Sequence, residues 1–368
     1  MRHLYLHVPF CQRRCSYCDF SIAVRRRIPA LPYVETIGRE LERTALTGPL
    51  ETVYFGGGTP SLLPATAIAS LLAAISSRAP LHETVEITLE ANPEDVTDAA
   101  ASAWRSAGIN RISLGVQSFD DRVLQWMHRV HDAQRARAAV RILRAAGFDN
   151  VSLDLIFALP AHLQRDWERD LETALALEPD HLSLYGLTVE PRTPLHRWVA
   201  RGAAHAPSDE RYAEEYLAAH TRLGSAGFVF YEVSNAARQE RRSRHNSAYW
   251  MGRPYAGVGP AAHSFDGHAR RWNLAAWEAY RRALADGRSP VESEEVLTDG
   301  QRTLEQVYLG LRTDAGVPVA DVAASAPLPA LIQQGWLVEQ SGRVKCSVEG
   351  WLRLDSLVAA LTGPSATS

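Results

Sequence analysis

Long apolar runs are missing from this chain. No stretch approaches the roughly 18–20 residues of a membrane span, so none is expected to cross a bilayer. The N-terminal stretch MRHLYLHVPF lacks the apolar core and cleavage site of a secretory signal, and the expectation is a cytoplasmic protein. A marked excess of either charge is also missing. The net charge is −3 over 368 residues, which leaves no broad basic surface for nucleic acid. Cysteine is scarce, at four residues, and three of them crowd into positions 11–18. Such usage is no disulfide framework, and in a reducing compartment the cluster reads as metal-binding or catalytic. The remainder is ordinary globular composition, 46% hydrophobic and 22% charged, enough for one large domain and a smaller one.

Short β-rich apolar runs alternate with longer helical patterns. Strands are expected at 3–8, 51–55, 85–91, 110–116, 150–157 and 180–187, with helices near 31–46, 61–77, 98–107, 133–146 and 166–177. SAGIN at 106–110, AAGFD at 145–149 and SAGFV at 225–229 each place glycine between a helical run and a strand, as a glycine closing a helix would. This rhythm predicts an α/β fold with a parallel sheet, an open or partial barrel of about six units. The expected domains are a barrel over 1–235, a connecting region over 236–285, read as a long ordered loop followed by a helix near 274–285, and a C-terminal domain over 286–368 of winged-helix type. The tail TGPSATS is expected to fray.

Cys11, Cys15 and Cys18 follow a C-x3-C-x2-C spacing just after the first strand. Thiolates this close can converge on one soft metal centre. Structural zinc would need a fourth ligand; His3, His7 and Asp19 are nearest, and none completes a familiar zinc pattern. A cuboidal 4Fe–4S cluster held by three thiolates instead leaves one iron open to an exogenous ligand. The fourth cysteine, Cys346, is distant and reads as a small buried hydrophobe. Further along, YFGGGTPS at 54–61 offers backbone that can approach a ligand closely. Glu90, Gln117 and Asp154 lie towards the C-terminal ends of strands, where barrel enzymes place their chemistry. Arg129 is a candidate partner for Glu90 or for a ligand carboxylate.

The cysteine spacing resembles the signature of the radical S-adenosylmethionine (SAM) superfamily, whose partial (β/α)6 barrel agrees with the strand rhythm. The segments LYLHVPF, FGGGTPS, EANPE, RISLGVQSF, DLIFALP, YEVSN and HNSAYW occur in order. With them the chain resembles the oxygen-independent coproporphyrinogen III oxidase family, and within it the HemW-type haem-chaperone branch. The resemblance implies a 4Fe–4S cluster on Cys11, Cys15 and Cys18. It also implies SAM contacts from Tyr5, Tyr17, Gly57, Gly58, Thr59, Glu90, Gln117, Arg129, Asp154 and Thr188. Two features favour the chaperone branch over the oxidases. Phe20 stands where the oxidase pattern has a further cysteine, and only ten residues precede Cys11.

HNSAYW at 245–250 matches the H-N-x-x-Y-W motif of that branch. It implies haem at His245, a residue type that serves as an axial ligand, with Tyr249 and Trp250 walling the porphyrin. Arg241, Arg242 and Arg244 are candidate propionate partners, and His263 is a second candidate ligand. The implied function is transfer of haem to an acceptor haemoprotein, such as a membrane-associated respiratory enzyme, by a chain that could form a homodimer. Coproporphyrinogen oxidase activity is the alternative reading, and it is not expected. The family's LPGQT appears here as LPAHLQ, and its FGLP as FALP. Both departures concern the loop after the fifth strand.

Overall fold

A computed structural model describes residues 1–363; most of the tail expected to fray lies outside them. Six strands run parallel in chain order: β1 (His3–Val8), β2 (Leu50–Gly57), β3 (Leu81–Ala91), β4 (Arg111–Gln117), β5 (Val151–Phe157) and β6 (His181–Gly186). All but β3 are buried over most of their length, which is why they read as apolar runs rather than alternating ones, and β3 is buried chiefly in its C-terminal half. The crossovers are α1 (Ala30–Leu41), α2 (Ala65–Arg78), α3 (Asp98–Ala107), α4 (Asp121–Trp126), α5 (Ala133–Ala145) and α6 (Trp167–Ala176). The helices present Ile37, Leu71, Trp104, Leu143 and Leu171 to one continuous core. The expected helix-closing glycines are in the left-handed region: Gly108, Gly147 and Gly227 have φ of 106°, 85° and 82°.

Before position 235, three helices have no range among the sequence expectations: α4, α7 (Pro194–Ala200) and α8 (Asp209–Ser225), the last foreseen only through the SAGFV that closes it. The first two are six and seven residues long, too short to establish a period. α8 is largely polar, and only the strip Tyr216, Ala219 and Leu223 meets the core.

The helix expected near 274–285 is present, but the stretch before it is not the expected loop, which corrects that expectation: it carries short strands and a helix. β7 (Val229–Glu232) and β8 (Asn235–Ala237) close one edge of the sheet, β8 pairing antiparallel with β6. The short helix α9 (Arg244–Trp250) follows, and β9 (Ala256–Val258) pairs parallel with β1 at the other edge. The nine-stranded sheet therefore takes strands from both sides of position 235. A helix, α10 (Trp277–Ala285), packs against α1. The C-terminal unit holds α11 (Asp299–Arg312), a hairpin of Leu337–Gln340 with Arg343–Cys346, and a helix at Leu354–Thr362 around its own core. Cys346 is half-buried between the two cores.

Candidate functional site

The loop after β1 is pinned at several points. Phe10–Cys11 forms a short parallel ladder with Ala23–Val24. The Ser16 amide donates to Met127 O at 3.2 Å, and the Leu195 amide donates to Ser16 O at 2.8 Å. Cys11 is buried, while Cys15 and Cys18 are half-exposed. Thr59 Oγ1 donates to Cys11 Sγ and Arg129 Nη1 to Cys15 Sγ, both at 3.4 Å. Burial pushes the Cys11 thiol up against the pull of Thr59, and raises Cys18 to about 11. Thiols in this state need a bound cation to become thiolate ligands. Among the described residues no three His, Cys, Asp or Glu side chains converge on a single ion. All three cysteines line one cleft, and cysteine thiolates are the ligands of iron–sulfur clusters.

The cleft above the loop encloses about 390 Å³ and is lined by all three cysteines, Tyr17, Gly57, Gly58, Thr59, Glu90, Gln117, Arg129, Asp154 and Thr188. The glycine triplet is fixed by packing. A Cβ on Gly56 would meet Tyr5 at 2.8 Å, one on Gly57 the His7 ring at 2.7 Å, and one on Gly58 Phe10 O at 2.7 Å and Cys11 Sγ at 2.9 Å. Glu90 accepts from Tyr54 Oη at 2.8 Å and from the Gly57 amide at 3.0 Å. Burial, aided by the Asp154 charge, raises its carboxyl to about 7. Asp154 is raised by burial too, and accepts from Ser113 Oγ at 3.1 Å. Arg129 Nη2 donates to Asn92 Oδ1 at 2.5 Å and to Gly115 O at 2.8 Å. Gln117 stands at the end of β4 with φ of 68°, a strained conformation for a side-chain residue.

Of the residues implied as SAM contacts, Tyr5 alone lies outside the lining. Its hydroxyl meets His7 Nδ1 at 3.1 Å, behind the glycine triplet. Sequence reasoning missed Asn92, Ser113, Gly115 and Tyr185, which also line the cleft. Asn92 sits in the quoted EANPE and Gly115 in SLGVQ, so the signal was a polar or small residue at a strand's C-terminal end.

The expected haem face is not a single face, and this is the second correction. Glu86 caps α9, accepting from the Arg244 and His245 amides at 3.1 Å each. His245 and Tyr249, one turn apart, point into the barrel. His245 is 1% exposed. Its Nδ1 lies 2.7 Å from Thr52 Oγ1 and its Nε2 2.7 Å from Tyr249 Oη. Its ring stacks on Tyr54 with centroids 5.0 Å apart. Burial lowers its pKa to about 3, so it is neutral. Trp250 lies on the opposite side, under the Arg312 guanidinium at 4.3 Å, and with Met251 lines a separate groove against α11. Arg242 pairs with Asp314 at 2.7 Å, Arg241 with Asp149 at 3.5 Å, and Arg244 with the Thr84 carbonyl. The three arginines thus serve different contacts rather than one anion site. His263 is exposed and stacks on Trp272, remote in role from His245.

A family model described as the radical SAM superfamily matches residues 5–174. A protein of Mycobacterium tuberculosis named "Heme chaperone HemW" is 38% identical, over 98% of this chain and 94% of its own. One of the same name from Bacillus subtilis is 35% identical, over 86% of this chain and 85% of its own. The solved structure of coproporphyrinogen III oxidase (HemN) from Escherichia coli superposes with a TM-score of 0.82 over 98% of this chain and 89% of that one. At 21% identity it speaks for the fold alone.

Proposed function

The chain belongs to the radical SAM superfamily and, within it, to the family of HemW haem chaperones, and on that premise we propose that it binds haem and passes it to an acceptor haemoprotein in the cytoplasm. The observation that carries this reading is the match along nearly the whole chain to proteins named heme chaperone. No helix among the described residues is long and apolar enough to cross a membrane.

The cleft fits the two resident groups the superfamily uses. Cys11, Cys15 and Cys18 would each supply one thiolate to a 4Fe–4S cluster, with Thr59 and Arg129 donating to the sulfurs. Glu90 and Asp154 put two carboxyls on the cleft floor, suited to the cationic end of SAM, and Arg129 offers a guanidinium to a carboxylate. The cluster's open iron would chelate SAM and, when reduced, could cleave it. The protein's own part is to exclude bulk water, orient the sulfonium nucleotide and hold Glu90's proton until a cation displaces it.

Haem is the cargo. For His245 to reach its iron, α9 must turn and give up the contacts to Thr52 and Tyr249, at roughly 0.5–1.5 kcal/mol each. Haem capture is therefore a conformational step and not docking onto a preformed face. Titration of anaerobically reconstituted protein with haem should give a Soret band saturating near one equivalent, weakened in His245→Ala. A chain that gives no haem-dependent band ends the chaperone reading. The intact cleft keeps radical chemistry on coproporphyrinogen as a second reading. Incubation with SAM, reductant and coproporphyrinogen III is expected to leave the propionates intact, and clear decarboxylation would reverse the order of the two.

A further inference from the structure

Two segments far apart in the chain meet inside the barrel. Thr52 and Tyr54 lie two residues apart on β2, and Glu86 and Glu90 four apart on β3, so each pair faces one side of its strand. Glu86 holds the start of α9 through two backbone amides. Glu90 faces the cofactor cleft. Tyr54 joins the two ends: its hydroxyl donates to Glu90 at 2.8 Å, and its ring stacks on His245 at 5.0 Å and 28°. His245 is itself fixed at both nitrogens, and Thr52 is shared with His3 Nδ1 at 3.0 Å. Departure of the imidazole would therefore strip one ring from the phenol, leaving the Tyr5 ring at 6.0 Å and the bond to Glu90 to hold it.

We propose that Tyr54 and His245 are positioning residues for Glu90, so that binding of the cofactor's cationic group at Glu90 and capture of a haem iron by His245 oppose each other. The haem half of this statement rests on the chaperone reading. A cation in the cleft favours the state in which Tyr54 donates to Glu90 and His245 stays stacked. An iron that takes the imidazole favours the other state. Coupling of this kind is reciprocal: each ligand weakens the other by the same factor. It gives the protein a physical means to release cargo when the cleft fills.

The test is the dissociation constant of SAM for cluster-loaded protein, with and without haem. Tyr54→Phe removes one hydroxyl and is expected to weaken SAM about tenfold, the worth of one charge-assisted hydrogen bond. His245→Ala should weaken it several-fold, and His245→Phe, which keeps a ring against Tyr54, should restore most of the loss. A merely structural role would not move the pH profile. Glu90 titrates near 7 facing Asp154 on β5 and Arg111 on β4, with Tyr54 and the Gly57 amide holding its charged form. SAM affinity should therefore fall as pH drops through 7, and in Tyr54→Phe that fall should begin at higher pH. Wild-type SAM affinity in both Tyr54→Phe and His245→Ala overturns the positioning role. A full haem band with unchanged SAM affinity overturns the opposition. Absence of any haem band strikes the chaperone reading instead, and the haem-free arms still decide the positioning role.

Discussion

Gly58→Ala is a sharp test of how the cysteine loop is held. Gly58 has no positive φ, so its backbone would accept alanine. The obstacle is steric. A Cβ there would lie 2.7 Å from Phe10 O, 3.0 Å from Pro9 C and 2.9 Å from Cys11 Sγ. Two of these are backbone atoms of the segment that carries Cys11, so the segment itself must move. Overpacking of this kind costs about 1–3 kcal/mol, which at 1.4 kcal/mol per tenfold shifts the loop roughly 5- to 150-fold away from the conformation presenting Cys11. Gly38→Ala is the control: it lies within α1 with nothing inside 4 Å, and alanine there should add about 1 kcal/mol of helix stability. The assay is iron and sulfide per chain after anaerobic reconstitution, followed by loss of the visible absorbance under a chelator. Gly58→Ala should load poorly or bleach several-fold faster while its circular dichroism stays native. Wild-type loading and chelator resistance in Gly58→Ala would refute the claim that the glycine motif exists to let β2 approach the cysteine loop.

Two further outcomes follow from buried charges. His220 stacks on Phe230 with centroids 3.5 Å apart, its Nε2 has no hydrogen-bond partner among the described residues, and burial lowers its pKa from 6.5 to about 4. Between those values the unfolded chain binds a proton that the folded chain refuses, so stability falls as pH drops through that window. In His220→Phe the melting temperature should decline less steeply from pH 6.5 to 4, whatever its offset at neutrality, and an unchanged slope would contradict the assignment. Arg312 on α11 pairs with the fully buried Glu232 of β7 at 2.7 Å. Arg312→Met strands that carboxylate and should cost about 3–5 kcal/mol in urea unfolding. Adding Glu232→Gln should recover much of the loss, and a single variant of wild-type stability would show that the pair does not join the C-terminal unit to the barrel.

The six parallel strands were legible because a strand covered on both faces reads as an unbroken apolar run, and the helix ends because glycine in the left-handed region has a sequence mark. The cleft was legible to a similar depth. Twelve of the thirteen residues assigned to the cluster or SAM line it, because ligand contacts gather at the C-terminal ends of consecutive strands and so fall in a fixed order along the chain. Short elements escaped. α9 and β9 span seven and three residues, below any usable period, and β9 gains its place only by pairing with β1 across some 250 positions of sequence.

What the sequence determined by itself is the local chemistry: three thiols within eight positions, a glycine triplet after the second strand, an imidazole and a phenol four positions apart. What tertiary structure decided is which way each points and what it meets. On the helix that tertiary structure forms, the spacing of His245 and Tyr249 gives a shared face, but spacing cannot say whether that face looks to solvent or into the barrel. Closure of the sheet around Thr52 and Tyr54 settled it, placing His245 inside and Trp250 out towards the C-terminal unit. The reason is physical: burial depends on partners brought from distant strands, and no local pattern encodes them.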